Sequence, residues 1–135
     1  MINTKPLNIL IVDDSEIIRE RIIEKLNKSV KVIKVGEADN YRNALKQFIS
    51  SPPEIMILDL QLKDGDGMDL LHIVKSKSPE THVIILTNFP YPALREFCSK
   101  LGAEYFFDKS NDFEKLPFAV SQIFACNSTQ KIDFK

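Results

Sequence analysis

Five polar side chains stand where short apolar runs end. Asp13 and Asp14 follow Leu7–Val12, Asp59 follows Ile55–Leu58, Thr87 follows His82–Leu86, and Lys109 comes just after Glu104–Phe107. Three carboxylates, a hydroxyl and an amine make a set with a definite chemistry. Neighbouring carboxylates repel unless a cation or a shared proton relieves the crowding. Mg²⁺ suits such a place, because it prefers oxygen ligands, keeps several of its waters and bridges to phosphate. A carboxylate is also a nucleophile toward phosphorus, giving an acyl phosphate. That transfer needs positive charge and hydrogen-bond donors at the equatorial oxygens, which the cation, Lys109 and the Thr87 hydroxyl can supply. Each residue also has a plainer reading. Paired aspartates cap helices, Asp59 between Leu58 and Leu60 can be a loop residue, Thr87 can end a strand, and Lys109 alone reads as a solvated lysine. Agreement of four chain positions on one chemistry favours the functional reading.

The elements that must position these residues are legible as an alternation. Strand candidates are Leu7–Val12, Lys31–Glu37, Ile55–Leu58, His82–Leu86 and Glu104–Phe107. The first, third and fourth are nearly continuous in Leu, Ile, Val and Met, as strands covered on both faces should be. Helix candidates lie between and after them, near Ser15–Asn27, Tyr41–Ile49, Gly67–Lys75, Tyr91–Leu101 and Phe113–Ala125. Ile18, Ile22 and Leu26 recur every four residues as a core stripe, and Asp14 or Ser15 can cap that helix. Gly102 follows Leu101 where a helix end calls for positive φ. Pro117 must kink or delay the last helix. Strict alternation with short connections predicts a parallel sheet with helices on both faces. Ligands of such folds bind beyond the carboxyl ends of the strands, where the five polar residues fall.

Composition narrows the class. The chain has 135 residues, room for one domain, and an ordinary balance of 44% hydrophobic and 27% charged residues. A formal net charge of -1 and the lack of a basic recognition helix argue against direct DNA binding. Two cysteines, Cys98 and Cys126, are too few for a disulfide framework, and Cys98 falls on an apolar helical stripe as a buried thiol would. No apolar run is long enough for a signal peptide or a membrane span, so a cytoplasmic address is expected by default. His72 and His82 have no partner at ligand spacing and read as surface or structural residues.

The sequence resembles the receiver domain of bacterial two-component response regulators over roughly residues 7–126. The anchors are Ile9-Leu10-Ile11-Val12-Asp13-Asp14, Ile57-Leu58-Asp59-Leu60 with Leu62 and Gly67, Leu86-Thr87, and Phe107-Asp108-Lys109. The resemblance implies a flavodoxin-like fold, a doubly wound five-stranded parallel sheet in the order 2-1-3-4-5. It implies that Asp59 accepts phosphate from a histidine kinase or phosphotransfer protein. Asp14 and Asp59 would bind Mg²⁺ directly, with the main-chain carbonyl of Gln61 and with Asp13 through water. Thr87 and Lys109 would grip the phosphoryl group, and Phe106 takes the place of the aromatic switch residue. The protein would then catalyse only its own phosphorylation and dephosphorylation, and act through a downstream protein.

Three departures from the family pattern stand out. Asn88 replaces the usual small residue after the threonine, Lys63 a common proline, and Ser110 the proline that follows the lysine. A cis bond before proline costs only about 0.5–1 kcal/mol, whereas before serine it costs roughly 2.5–4 kcal/mol. With Ser110, Asn111 and Asp112 able to cap the next turn, a trans Lys109–Ser110 bond is expected, with Lys109 still aimed at Asp59.

Ile17 lies off the core stripe of the first helix, Tyr91 sits between Pro90 and Pro92, and Phe118 lies off the stripe of the last helix. These three are candidate partner-surface residues; the alternative for Ile17 is an ordinary exposed apolar side chain, and for Tyr91 and Phe118 packing under loops. The segment Asn127–Lys135 is expected to be a short polar tail. No output domain is expected after the last helix, although a receiver fragment of a longer regulator would read the same way. A receiver-like interaction module that works without phosphorylation would lose an acidic residue or the lysine, and all are present. A nucleotide- or flavin-binding relative of this topology would need a glycine-rich loop after the first strand, and none of the four glycines lies there. An aspartyl phosphatase would want a second acid where Gln61 stands.

Overall fold

Side chains along a strand point alternately to opposite faces, so a strand apolar throughout must be covered on both. A computed structural model, which describes residues 6–29 and 33–133 with side chains through Ala125, has this arrangement. Strands β1 (Leu7–Val12), β2 (Ile33–Ala38), β3 (Ile55–Leu58), β4 (His82–Thr87) and β5 (Tyr105–Asp108) form one sheet. Its order is β2-β1-β3-β4-β5, with every adjacent pair parallel. This is the expected doubly wound, flavodoxin-like topology.

The alternation within each strand divides the core into two layers. Ile9, Ile11, Ile57 and Ile84 face α1 (Glu16–Ser29) and α5 (Leu116–Asp133), meeting Ile22, Leu26, Leu116, Val120 and Ile123. Leu10, Val12, Met56, Leu58, Val83 and Ile85 face the other way, toward α2 (Tyr41–Ser50), α3 (Gly67–Lys77) and α4 (Pro92–Lys100). There they meet Ala44, Phe48, Leu70, Leu71, Val74 and Cys98. Cys98 is buried as expected, 3.4 Å from the Met68 sulfur, and burial pushes its thiol up to about 11. The side chain of Cys126 lies outside the described residues, as do Lys31 and Val32 at the expected start of β2.

Two glycines answer to geometry. Gly102 has φ +106° after α4, as expected of a helix terminus. Gly67 starts α3 so close to the end of β3 that a Cβ there would lie 2.6 Å from Leu60 Cα and 2.7 Å from the Asp59 carbonyl oxygen. Between β3 and α3 in the chain, Gln61–Leu62 and Gly65–Asp66 pair as a two-stranded antiparallel hairpin.

The last helix differs from expectation. It does not give way to an irregular tail after Ala125 but continues to Asp133. Past Pro117 the sequence holds neither glycine nor proline, so nothing local stops the helix. Pro117 does delay it: a 3₁₀ turn at Phe113–Lys115 precedes α5, and the proline sits in the first turn, where its missing N–H costs nothing. Among the described residues, no helix is long and apolar enough to cross a membrane.

Candidate functional site

Parallel strands end at a common edge, and here the hydrogen-bond ladder runs one residue past three of them. The Asp13 N–H donates to the Ala38 carbonyl (3.1 Å), the Asp59 N–H to the Val12 carbonyl (2.9 Å) and the Lys109 N–H to the Thr87 carbonyl (2.8 Å). Asp13, Asp59 and Lys109 are therefore each pinned by their own main chain.

The side chains then converge. Lys109 Nζ lies 2.7 Å from Asp13 Oδ2 and 3.2 Å from Asp59 Oδ2. Both aspartates are buried, and Asp14 is exposed beside them. Asp13, Asp14 and Asp59 each offer an oxygen within 4.8 Å of the others, a set of hard donors that can hold one metal ion. Asp13 is fixed further by the Ser15 N–H on its Oδ1 (2.9 Å) and by Arg19, which donates to its carbonyl (2.7 Å) while pairing with Glu37. Asp59 Oδ1 accepts the Gln61 N–H at 3.1 Å.

The electrostatics show a site short of positive charge. Burial pushes the Asp59 carboxyl above its ordinary range, with the Asp13 charge adding to it; the Gln61 amide and Lys109 only partly oppose this. For Lys109, burial would lower the ammonium, but the Asp13 hydrogen bond and the charges of Asp59 and Asp13 outweigh it and hold it above its ordinary value.

The turn after β5 aims the lysine. Asp108 accepts the Ser110 N–H and the Asn111 side-chain amide, both at 2.9 Å, and Asp112 accepts the Asp108 N–H at 3.0 Å. No peptide bond among the described residues is cis, so Lys109–Ser110 is trans and Lys109 still reaches Asp59, both as expected. Thr87 behaves differently. Its fully buried hydroxyl accepts the Phe89 N–H at 3.0 Å, and no hydrogen bond joins it to Asp59. Gln61, Asn88 and Phe89 border the open cleft in which Asp14, Asp59 and Lys109 meet.

The sequence profile of the response regulator receiver domain matches residues 9–121. The chain belongs to the response regulator receiver family. It is 32% identical to the sensory transduction protein LytT of Bacillus cereus over 91 residues, 67% of this chain and 37% of that protein. It is 26% identical to the photosynthetic apparatus regulatory protein RegA of Cereibacter sphaeroides over 113 residues, 84% of this chain and 60% of that protein. The chain thus spans little more than a third of the first relative and three fifths of the second. Among solved structures, the signal receiver domain of a DNA-binding response regulator from Colwellia psychrerythraea superposes with a TM-score of 0.82 at 25% identity, covering 88% of this chain and 98% of that one. A CheY-like receiver domain from Methanospirillum hungatei gives 0.84 at 20% identity, covering 93% and 99%, a likeness of fold alone.

In this receiver Phe106 is turned inward, 7% exposed, and packed in the α2–α3–α4 layer. Arg95 lies over its ring at 4.8 Å and donates to its carbonyl at 3.1 Å. Ile17, Tyr91 and Phe118 are all exposed, so neither aromatic ring packs under a loop. Ile49, Phe89 and Phe97 are exposed too, and sequence reasoning passed over them. Off-stripe apolar positions on α2 and α4 would have found two of them. Arg19 and Arg95 were also missed, because nothing in a linear pattern says which carbonyl a long side chain will reach. His72 is exposed, and His82 pairs with Glu104 at 3.2 Å, which is the structural role expected.

Proposed function

We propose that this chain is a phosphoacceptor of a two-component or phosphorelay system, taking a phosphoryl group onto Asp59 from a histidine kinase or phosphotransfer protein. The observation that carries the reading is the Lys109 ammonium shared between buried Asp13 and Asp59, with three carboxylate oxygens gathered within 4.8 Å. A chain needing only helix caps has no use for a buried like-charge cluster. Asp14, Asp59 and the Gln61 main-chain carbonyl, with Asp13 behind them, would hold Mg²⁺, which would supply the positive charge that the transfer requires.

The chain's own residues do the rest. An Asp59 carboxylate oxygen forms a bond to phosphorus as the bond from phosphorus to the donor's imidazole nitrogen breaks. Lys109 draws the new negative charge, and it is already oriented by Asp13. The Thr87 oxygen accepts from Phe89 and its hydroxyl also carries a donor hydrogen, which would serve a phosphoryl oxygen once the side chain turns. Phe106 then responds as the switch residue, and Ile17, Tyr91 and Phe118 offer apolar contacts to kinase and target. Asn88 at the cleft rim tunes the lifetime of the acyl phosphate. The protein acts in the cytoplasm, binds no DNA itself and catalyses only its own phosphorylation and dephosphorylation. Because LytT and RegA extend well beyond the matched region, a second reading makes this receiver the input part of a longer regulator.

Incubation with acetyl phosphate and Mg²⁺, followed by intact-mass measurement, tests the central claim. Wild type gains one phosphoryl group and Asp59→Asn gains none. Equal labelling of the variant sinks the assignment.

A further inference from the structure

The hairpin that follows the acceptor is tied down on three sides. At its start, the Gln61 N–H donates to Asp59 Oδ1 at 3.1 Å. At its end, Asp66 caps α3 by accepting the Met68 N–H at 2.9 Å, and the Gly67 N–H closes back onto the Leu60 carbonyl at 2.9 Å. The third tie is long-range and comes from the tip. Asp64 accepts the Tyr41 N–H at 2.6 Å and the Arg42 N–H at 3.1 Å, the first two amides of α2. Beside it Gly65 lies against the Tyr41 ring, so closely that a Cβ would meet Cγ at 2.7 Å.

Helix α2 does not need Asp64 to begin. It has its own N-cap in Asn40, whose side chain accepts the Asn43 N–H at 2.8 Å. The first turn of a helix leaves unpaired N–H groups and a partial positive charge, so a carboxylate brought from another segment is held there strongly. The hairpin tip thus reaches across to borrow a fixed point from an element that lacks any residue of the acceptor cleft.

We propose that Asp64 is a positioning residue for the acceptor site. By anchoring the hairpin to α2, it holds the main chain at Gln61 beside the carboxylates of Asp13, Asp14 and Asp59, which would hold the cation. The proposal rests on the Mg²⁺ site put forward above. Groups that orient a metal's ligands commonly change affinity by about 10–100-fold when removed. One ligand of several is at stake here, so Asp64→Ala weakens Mg²⁺ binding by about tenfold.

The test is calorimetric titration of the full chain with Mg²⁺. Asp64→Asn retains an acceptor oxygen without the charge, and recovers much of the wild-type affinity. Asn40→Ala loosens the same helix start without touching the hairpin, and binds Mg²⁺ as wild type does. In the wild type, Mg²⁺ also slows hydrogen exchange at the Tyr41 and Arg42 amides, because coupling between two sites is reciprocal.

The proposal falls if Asp64→Ala matches wild type in affinity. It falls if Asp64→Asn is as weak as the alanine variant, which makes the effect one of charge alone, or if Asn40→Ala is equally weak, which makes it a general loosening of α2. It falls as well if exchange at the two amides ignores Mg²⁺, a measurement that needs no variant to fold. A wild type that takes up no Mg²⁺ at all brings down the metal reading itself and this inference with it.

Discussion

Both ends of the sheet gather acidic and basic side chains around strand termini, and they do so with opposite balance. At the amino end, Glu104 just before β5 accepts the Val83 N–H at 2.8 Å, Lys75 Nζ at 2.9 Å and His82 Nδ1 at 3.2 Å. Lys75 is used twice, donating also to the Thr81 carbonyl at 2.7 Å. Burial would raise Glu104, but the bonds from His82, Lys75 and the Val83 amide win and hold it below the usual carboxylate range. At the carboxyl end, two buried aspartates share one lysine and a third carboxylate crowds them, so Asp59 is pushed above its usual range. The count of donors per carboxylate separates the two clusters. At the amino end one carboxylate takes three donors, whereas at the carboxyl end three carboxylates gather around one lysine, the imbalance on which the proposed metal and phosphoryl site rests.

The largest effect expected from this contrast belongs to Lys109. Lys109→Ala leaves Asp13 and Asp59 buried without their shared cation, and breaking a buried pair in this way costs about 3–5 kcal/mol. Urea denaturation in metal-free buffer measures it, and added Mg²⁺ restores part of the loss. A change as small as that of an exposed ion pair breaks the comparison.

Glu104→Gln is the intermediate case. Its side chain is 32% exposed and partly screened by solvent, so the loss at neutral pH is about 1 kcal/mol. Because the folded-state value is depressed, this stabilisation is present above the ordinary carboxylate pKa and fades as pH falls through the depressed value. Wild type and variant therefore converge in stability only once the pH has fallen below that depressed value. A gap that persists there assigns the effect to packing rather than to charge.

The smallest change in stability is expected at Asp14. Removing an exposed member of the crowded cluster shifts metal-free stability by no more than about 0.5 kcal/mol, or raises it. The same Asp14→Ala variant loses more Mg²⁺ affinity than Asp13→Ala does. Thermal melts with and without Mg²⁺ read both numbers, and a variant that binds Mg²⁺ like wild type misplaces the site.

Much of this architecture is written in consecutive residues. The unbroken apolar runs at Leu7–Val12 and Ile55–Leu58 require cover on two faces, and the spacing of Ile18, Ile22 and Leu26 requires a helix. Those are local periodicities, which depend only on how a strand or a helix turns its side chains. Given alternation, the polar residues after the strands had to meet at one edge, so Asp13, Asp59 and Lys109 were legible as a set before any coordinate. Gly102 was legible for the same local reason.

Distances between segments were decided only when the chain packed. Sequence places Lys109 and Asp59 on one edge, but only the register of the sheet puts the ammonium between Asp13 and Asp59 rather than in solvent. Thr87 sits where expected, yet its hydroxyl is turned onto the Phe89 amide, a choice made by the loop after β4. The grip of Asp64 on α2, and of Glu104 on Lys75 and His82, joins residues far apart in the chain, where no periodicity speaks. Side-chain periodicity is a property of single elements and can be read along a line. Which donor meets which acceptor depends on the packing of several elements at once, and that exists only in the folded chain.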